Sequence, residues 1–245
     1  MPEYKVLPAG DTGLLVEFGD QVDRRLSNWV LALAARLDDL RLDGIVETVP
    51  TFRSLMIYYE PLMLSAASLT RHIGALMEGL HVCDEGGRSW QLPVCYDSRV
   101  ASDLDDVAAR IGLSPAQLID RHSAVTYHVY MLGFLPGQAY LGDLPSELVL
   151  PRRETPRPKI PAGSLAIATG LTSIFPLETP CGWHLIGRSP VPFWQQRPAP
   201  CALLAPGDKV VFRPVSLREY ESLAAQAAEG SLKLMPSERW LGAAA

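Results

Sequence analysis

Four basic side chains crowd one proline-rich stretch, PRRETPRPK, at positions 151–159. A guanidinium presents its N–H donors in a flat fork, the geometry that grips phosphate or carboxylate through paired hydrogen bonds. Pro151, Pro156 and Pro158 stiffen the backbone between the charges, so Arg152, Arg153 and Arg157 form a candidate anion site. A basic loop in solvent, or one that docks on an acidic partner chain, fits the same residues. His122 and His128 stand six positions apart beside Tyr127. On a strand, neighbouring residues face opposite sides, so Tyr127 and His128 cannot jointly hold one small group. His122 falls at the end of a short predicted helix, where a protonated imidazole is favoured; the spacing favours structural roles over catalysis for both histidines. His72 and His81 lack acidic or cysteine neighbours at ligand spacing and read as surface residues. Cys181 and His184 make a C-x-x-H, but zinc needs two further ligands and none is near in sequence. A thiol–imidazole pair would have to be assembled by the fold. No metal site is expected and no catalytic residue is assigned. With no GxxxxGK[ST] loop, no GxGxxG opening a helix and no GxSxG elbow, any nucleotide must sit in an uncommon site.

The elements that must carry these residues divide the chain in two. In residues 1–85, YKVLP (4–8) and LLVEFG (14–19) read as strands around a Gly10-Asp11 turn. Apolar residues at helical spacing predict a helix over 22–40, strands follow at 45–49 and 55–59, and a second helix is expected over 62–80 with Leu69, Ile73, Leu76 and Leu80 on one side. This order predicts a small antiparallel sheet with helices on one face, and Asp84-Glu85-Gly86-Gly87 reads as the linker after it. Residues 86–245 are rich in short strands: 89–95, 125–132, 165–169, 184–187, 202–205 and 209–214. Two short helices intervene, one opening at Ser102 with Asp105 three residues on, the other carrying a capping box at Ser114-Pro115-Ala116-Gln117. Ser216 with Glu219 caps a final helix ending near Gly230. Many short strands between Gly/Pro corners predict a closed or nearly closed β-barrel.

Charge and composition narrow the function. Positions 136–214 hold 14 of the 21 prolines, a density that excludes a helix bundle there. The formal charge of −5 argues against general nucleic-acid binding. No apolar run is long enough to cross a bilayer, and MPEYKVLPAGD lacks a signal-peptide pattern. Cysteines 83, 95, 181 and 201 form no C-x-x-C pair. A cytoplasmic protein with reduced thiols is the expectation.

Six segments then stand in a recognisable order: GDTGLLVEFGD (10–20), ETVPTFRSLMIYYEP (47–61), HSAVTYHVYMLGFLPGQAYLGDLP (122–145), PRRETPRPKIPAGSLAIA (151–168), GWHLIGRSP (182–190) and LLAPGDKVVFRPVS (203–216). Over nearly its whole length the chain resembles the 5-oxoprolinase B-subunit family, also called allophanate hydrolase subunit 1, with a KipI-like branch that inhibits a sporulation histidine kinase. The resemblance implies an α+β protein: a small N-terminal α/β sandwich domain, then a cyclophilin-like β-barrel domain with a C-terminal helix. It implies a hydrolase component that opens 5-oxo-L-proline to L-glutamate at the expense of ATP, with Mg²⁺ accompanying the nucleotide. The implied partners are the carboxyltransferase-like C subunit and the A subunit of the same enzyme. Arg152, Arg153, Arg157, Gly163, Ser164 and Arg188 stand where the family pattern has them, and with Tyr140 and His122 they make the expected substrate- or nucleotide-binding set.

Three segments depart from the family pattern. Gln138 stands in a segment that usually reads GFAYL, Thr169 and Leu171 occupy the glycine and glutamine of AIAGxQT, and Cys181 precedes Gly182-Trp183 where the family usually has GGW. Loss of a glutamine removes donors and an acceptor that could orient an amide. Two alternatives therefore stay open: a non-enzymatic inhibitor of a sensor histidine kinase, or a component of a related amide or urea-derivative hydrolase or carboxyltransferase.

Overall fold

The structure, a computed structural model, describes residues 1–82, 86–196 and 200–236, which fall into two compact units, Met1–Gly86 and Gly87–Ala245. Cys83, Asp84 and Glu85, which include the first half of the expected linker, lie outside the described residues.

In the first unit, β1 (Tyr4–Pro8), β2 (Gly13–Phe18), β3 (Ile45–Pro50) and β4 (Ser54–Tyr59) form an antiparallel sheet in the order β1-β2-β4-β3. Alternate residues Leu14, Val16 and Phe18 on β2, and Leu55, Ile57 and Tyr59 on β4, are buried on one face. Helices α1 (Arg24–Leu40) and α2 (Ala66–Glu78) cover that face with Val30, Leu33 and Leu37, and with Leu69, Ile73 and Met77. Each helix starts later than its apolar period suggests, because a side-chain cap fixes the first turn. Asp23 accepts from the N–H groups of Arg25 and Leu26, and Ser65 accepts from that of Ser68. Met77 takes a fully covered position and Leu76 is only partly buried.

The second unit contains β5 (Ser89–Cys95), α3 (Leu104–Arg110), α4 (Pro115–Ser123), β6 (Tyr127–Leu132), β7 (Ala139–Gly142), β8 (Arg157–Ile160), β9 (Ser164–Ala168), β10 (Leu171–Phe175), β11 (Thr179–Cys181), β12 (His184–Arg188), β13 (Lys209–Val215) and α5 (Leu217–Ala228). Seven of the described strands close into a barrel in the order β10-β7-β6-β13-β5-β12-β9, while β8 and β11 pair as a separate ribbon. Closure leaves the barrel itself without a terminal strand. Leu92, Val94, Val129, Leu141, Leu165, Ile167, Ile186 and Phe212 belong to the main core. A smaller cluster joins alternate residues Ala166 and Ala168 of β9 to Ile160 of β8, Cys181 of β11 and Trp183.

β5 and β13 run parallel, and the other barrel pairings are antiparallel. Asp208 fastens the starts of β5 and β13: it accepts from the Arg88 backbone and guanidinium, from the Trp90 indole N–H at 3.0 Å and from the Ala205 N–H at 2.9 Å.

The capping box at Ser114 and Gln117 and the cap at Ser216 form as the sequence predicts. Two sequence expectations fail. Residues 202–205 make no strand; only Ala202 bridges Trp194, while Leu203 and Leu204 pack into the core. Helix α3 is entered through Asp103, not Ser102, and Asp103 gives its carboxylate to partners outside the helix.

Candidate functional site

Asp103 organises the arginine-rich stretch from beneath. It is 4% exposed, and its carboxylate accepts from Arg157 through both terminal nitrogens, from Arg153 Nη1 at 3.3 Å and from the Leu185 backbone N–H at 2.7 Å. Its own N–H donates to the Leu185 carbonyl at 2.9 Å. The entry to α3, the 151–157 segment and β12 are thus tied at one point. An ionised carboxylate this deep needs cations and N–H donors around it, which explains why the side chain forgoes helix capping. The sequence casts Arg153 and Arg157 as grips for an external anion. In the structure the Arg157 fork is spent on Asp103, while Arg153 gives Nη1 to the same carboxylate and keeps its buried Nε–H without a partner.

Arg152 is the exposed member of the set and makes no ion pair among the described residues. It stands between two pockets and lines both. The first, about 350 Å³, is basic and is walled by Arg110, Arg152, Arg153, Glu154 and His184. Arg110 is already paired with Asp106 at 2.9 Å. His184 lies 2.9 Å through Nε2 from the Pro151 carbonyl, so that nitrogen carries the proton and donates. Its Nδ1 is then a bare acceptor, buried and without a partner. Beside the Glu154 carboxylate and the Thr155 hydroxyl, this pocket's lining therefore carries an unpaired buried acceptor, an unpaired buried N–H and a guanidinium outside any ion pair among the described residues.

The second pocket, about 140 Å³, is aromatic. Tyr140 and Phe175 meet the Trp183 ring edge-on at 6.0 and 6.1 Å, and Phe134 stands at the rim, 67% exposed. Gln138 and Cys181 complete the wall with Arg152. A tight loop between β6 and β7 delivers Gln138: the Gly133 N–H donates to the Gln138 carbonyl, and the Gln138 N–H to that of Leu135. Gly137 permits the turn at φ +74, where a Cβ would lie 2.7 Å from that of Trp194. The Gln138 side chain is 1% exposed, and its Nε2 donates to Ser173 Oγ at 3.1 Å. Since Ser173 gives its only hydroxyl proton to the Ala139 carbonyl, the amide orientation is fixed. Gln138 Oε1 is left buried with no partner.

The remaining expected site residues lie elsewhere in this unit. Ser164 Oγ donates to the Pro161 carbonyl at 2.7 Å and Arg188 Nε to that of Ala162 at 2.9 Å. Gly163, at φ +80, sits so close to Ser189 that a Cβ would meet its carbonyl oxygen at 2.3 Å. These three brace the turn before β9 and line neither pocket. His122 is wholly buried in the barrel, stacked on Phe212 with ring centroids 5.1 Å apart. Thr172 Oγ1 donates to the Ala166 carbonyl and so accepts from His122 Nε2, which leaves Nδ1 to accept from the Tyr96 hydroxyl. Burial pushes this imidazole down to about 3, so it is neutral. The protonated helix-end histidine expected from the sequence is overturned, because the ring turns into the core.

Tyr127 and His128 do face opposite sides: Tyr127 joins the main core and His128 stacks edge-on with Tyr130 at 4.7 Å. Cys181 and His184 form no pair. The Cys181 sulfur accepts from the Trp183 N–H at 3.2 Å, and burial raises its thiol. Of the expected set, then, Arg152, Arg153 and Tyr140 come to the pockets with Arg157 behind them. Sequence reasoning assigns Gln138, His184, Trp183 and Asp103 to no site; Gln138 carries a signal as a departure from the family pattern, and His184 one as part of a C-x-x-H that the fold does not assemble.

The chain as a whole is similar to several known proteins. Residues 4–204 match the carboxyltransferase domain family, subdomains C and D. The B subunit of 5-oxoprolinase from Bacillus subtilis strain 168 is 34% identical over 230 residues, covering 89% of this chain and 96% of that protein. The crystal structure of TTHA0988 is similar at a TM-score of 0.75 and 36% identity over 83% of this chain; the chain spans only 40% of that longer one. Urea carboxylase of Kluyveromyces lactis, at 19% identity and a TM-score of 0.79 over 96% of this chain and 24% of its own, shares the fold.

Proposed function

The chain belongs to the 5-oxoprolinase B-subunit family, and from that premise we propose that it is one component of an ATP-dependent 5-oxoprolinase, converting 5-oxo-L-proline to L-glutamate together with the C and A subunits of that enzyme. The observation that carries this reading is the 34% identity to a 5-oxoprolinase B subunit over nearly the full length of both chains.

The need for ATP follows from the bond to be broken. Amide resonance makes the lactam carbon a poor electrophile. Transfer of the γ-phosphoryl group to the lactam oxygen, with departure of ADP, activates that carbon. Water adds there, the ring C–N bond breaks with a proton taken up by nitrogen, and a second water releases phosphate from the resulting acyl phosphate. Anion-binding groups near the reacting carbonyl serve such chemistry, and the basic pocket supplies them on this chain. Arg152 is unpaired among the described residues, Arg153 Nε–H is a spare donor, and His184 Nδ1 can accept from a protonated phosphate oxygen. Among the described residues no three His, Cys, Asp or Glu side chains gather as a metal site, so Mg²⁺ would come as the counter-ion of ATP.

The test is phosphate and glutamate release from 5-oxoproline and ATP, with this chain alone and with the C and A subunits added. Turnover that requires all three, and stops when this chain is omitted, is the expected result. An intact, verified complex that forms no glutamate overturns the reading.

A further inference from the structure

The aromatic pocket has a composition that specifies a ligand. At about 140 Å³ it is well below the roughly 300–1,000 Å³ of sites for drug-sized molecules, so it holds one small ring and no nucleoside. Its walls are the faces and edges of Tyr140, Phe175 and Trp183, which suit a flat, mostly apolar ring. One buried acceptor, Gln138 Oε1, has no partner among the described residues, and the Ser173 and Ala139 contacts prevent the amide from turning a donor there instead. One guanidinium, Arg152, lines the wall and is free for a carboxylate.

We propose that this pocket seats a small cyclic amide acid, its ring among the aromatic side chains, its ring N–H donating to Gln138 Oε1 and its carboxylate held by Arg152. On the 5-oxoprolinase reading, on which the identity of the ligand rests, that molecule is 5-oxo-L-proline, and the Gln138 contact, at a position that departs from the family pattern, is particular to this chain. Arg152 also lines the basic pocket, so the ligand would lie at the boundary between the two pockets. Gln138 is a specificity residue in this arrangement: it selects a ring that still carries its N–H.

Equilibrium binding without ATP tests the proposal, on the purified chain and on its complex with the C and A subunits. The probes are 5-oxo-L-proline, its N-methyl derivative and 2-pyrrolidinone, which lacks the carboxylate. Wild type should bind 5-oxoproline roughly tenfold or more tightly than either analogue, the worth of one satisfied polar contact. Gln138→Leu should abolish the preference over the N-methyl compound while retaining that over 2-pyrrolidinone, and Gln138→Met should do the same. A merely structural glutamine would weaken all three probes alike and leave the ratios unchanged, which would overturn the proposal, as would failure of 5-oxoproline to bind chain and complex. If the wild-type complex turns over and Gln138→Leu keeps the wild-type binding preference, this site is removed and the enzyme reading stands. Selective binding without turnover would do the reverse.

Discussion

Asp103 and its two arginines decide how the basic stretch behaves when it is altered. Arg157→Ala strands a carboxylate that is 4% exposed, and breaking a buried pair from one side costs roughly 3 kcal/mol or more. Urea unfolding should show that loss, with Arg153→Ala costing less because it contributes one longer contact where Arg157 gives a fork. Equal midpoints for Arg157→Ala and wild type would contradict the clamp. In sequence the arginines look equivalent, since nothing local marks Asp103, some fifty positions away, as their partner. His122 makes a second prediction at this scale. Its ring is neutral in the fold, down at about 3, and takes up a proton below about pH 6.5 once the chain unfolds. Its contribution is therefore complete above pH 6.5 and lost as pH falls from there toward 3. Unfolding free energies measured at steps between pH 7 and 4 should fall more steeply for wild type than for His122→Gln; parallel profiles would refute this.

The hairpin joining β9 to β10 turns on two residues, Thr169 at φ +50 and Gly170 at φ +80, the left-handed pair that matches the twist of the strands. Glycine takes that conformation freely, whereas a β-branched residue is strained there by about 1 kcal/mol. Thr169→Asn should raise the melting temperature by a few degrees and preserve the Thr169 N–H bond to the Leu150 carbonyl; an unchanged or lower value would show that the threonine is not strained. This turn accounts in backbone terms for the glycine of the family pattern at 169. Leu171, in place of the family glutamine, packs against the small cluster around Trp183. Elements with a strong local signal are legible in the sequence: β5 and β13 as apolar runs, and α4 from its reciprocal cap. β7, β8, β10 and β11 are not, since they are three to five residues long and include Pro158, Pro180, Thr172 and Ser173, whose strand pairing is imposed by neighbours distant in sequence. The pockets inherit that illegibility, because Gln138, Phe175 and Trp183 meet only once those strands have paired.

Each of the two units has a core of its own, one between a sheet and two helices, the other inside and against a barrel. A fragment spanning residues 87–236 contains every residue of both pockets and should fold alone, unfolding in a single urea transition. A fragment that remains unfolded would mean that the first unit is needed to complete the barrel. No described helix is long and apolar enough to cross a membrane. The parallel pairing of β5 with β13 also has a consequence for biosynthesis. The Arg88 contact to Asp208 spans 120 positions, and the strands that follow each residue are partners along their whole length. A ribosome adding about 5–20 residues per second releases β5 some ten seconds before β13 exists. Throughout that interval β5 carries a long unpaired edge, and the nascent chain is a natural client for a chaperone until its last barrel strand emerges.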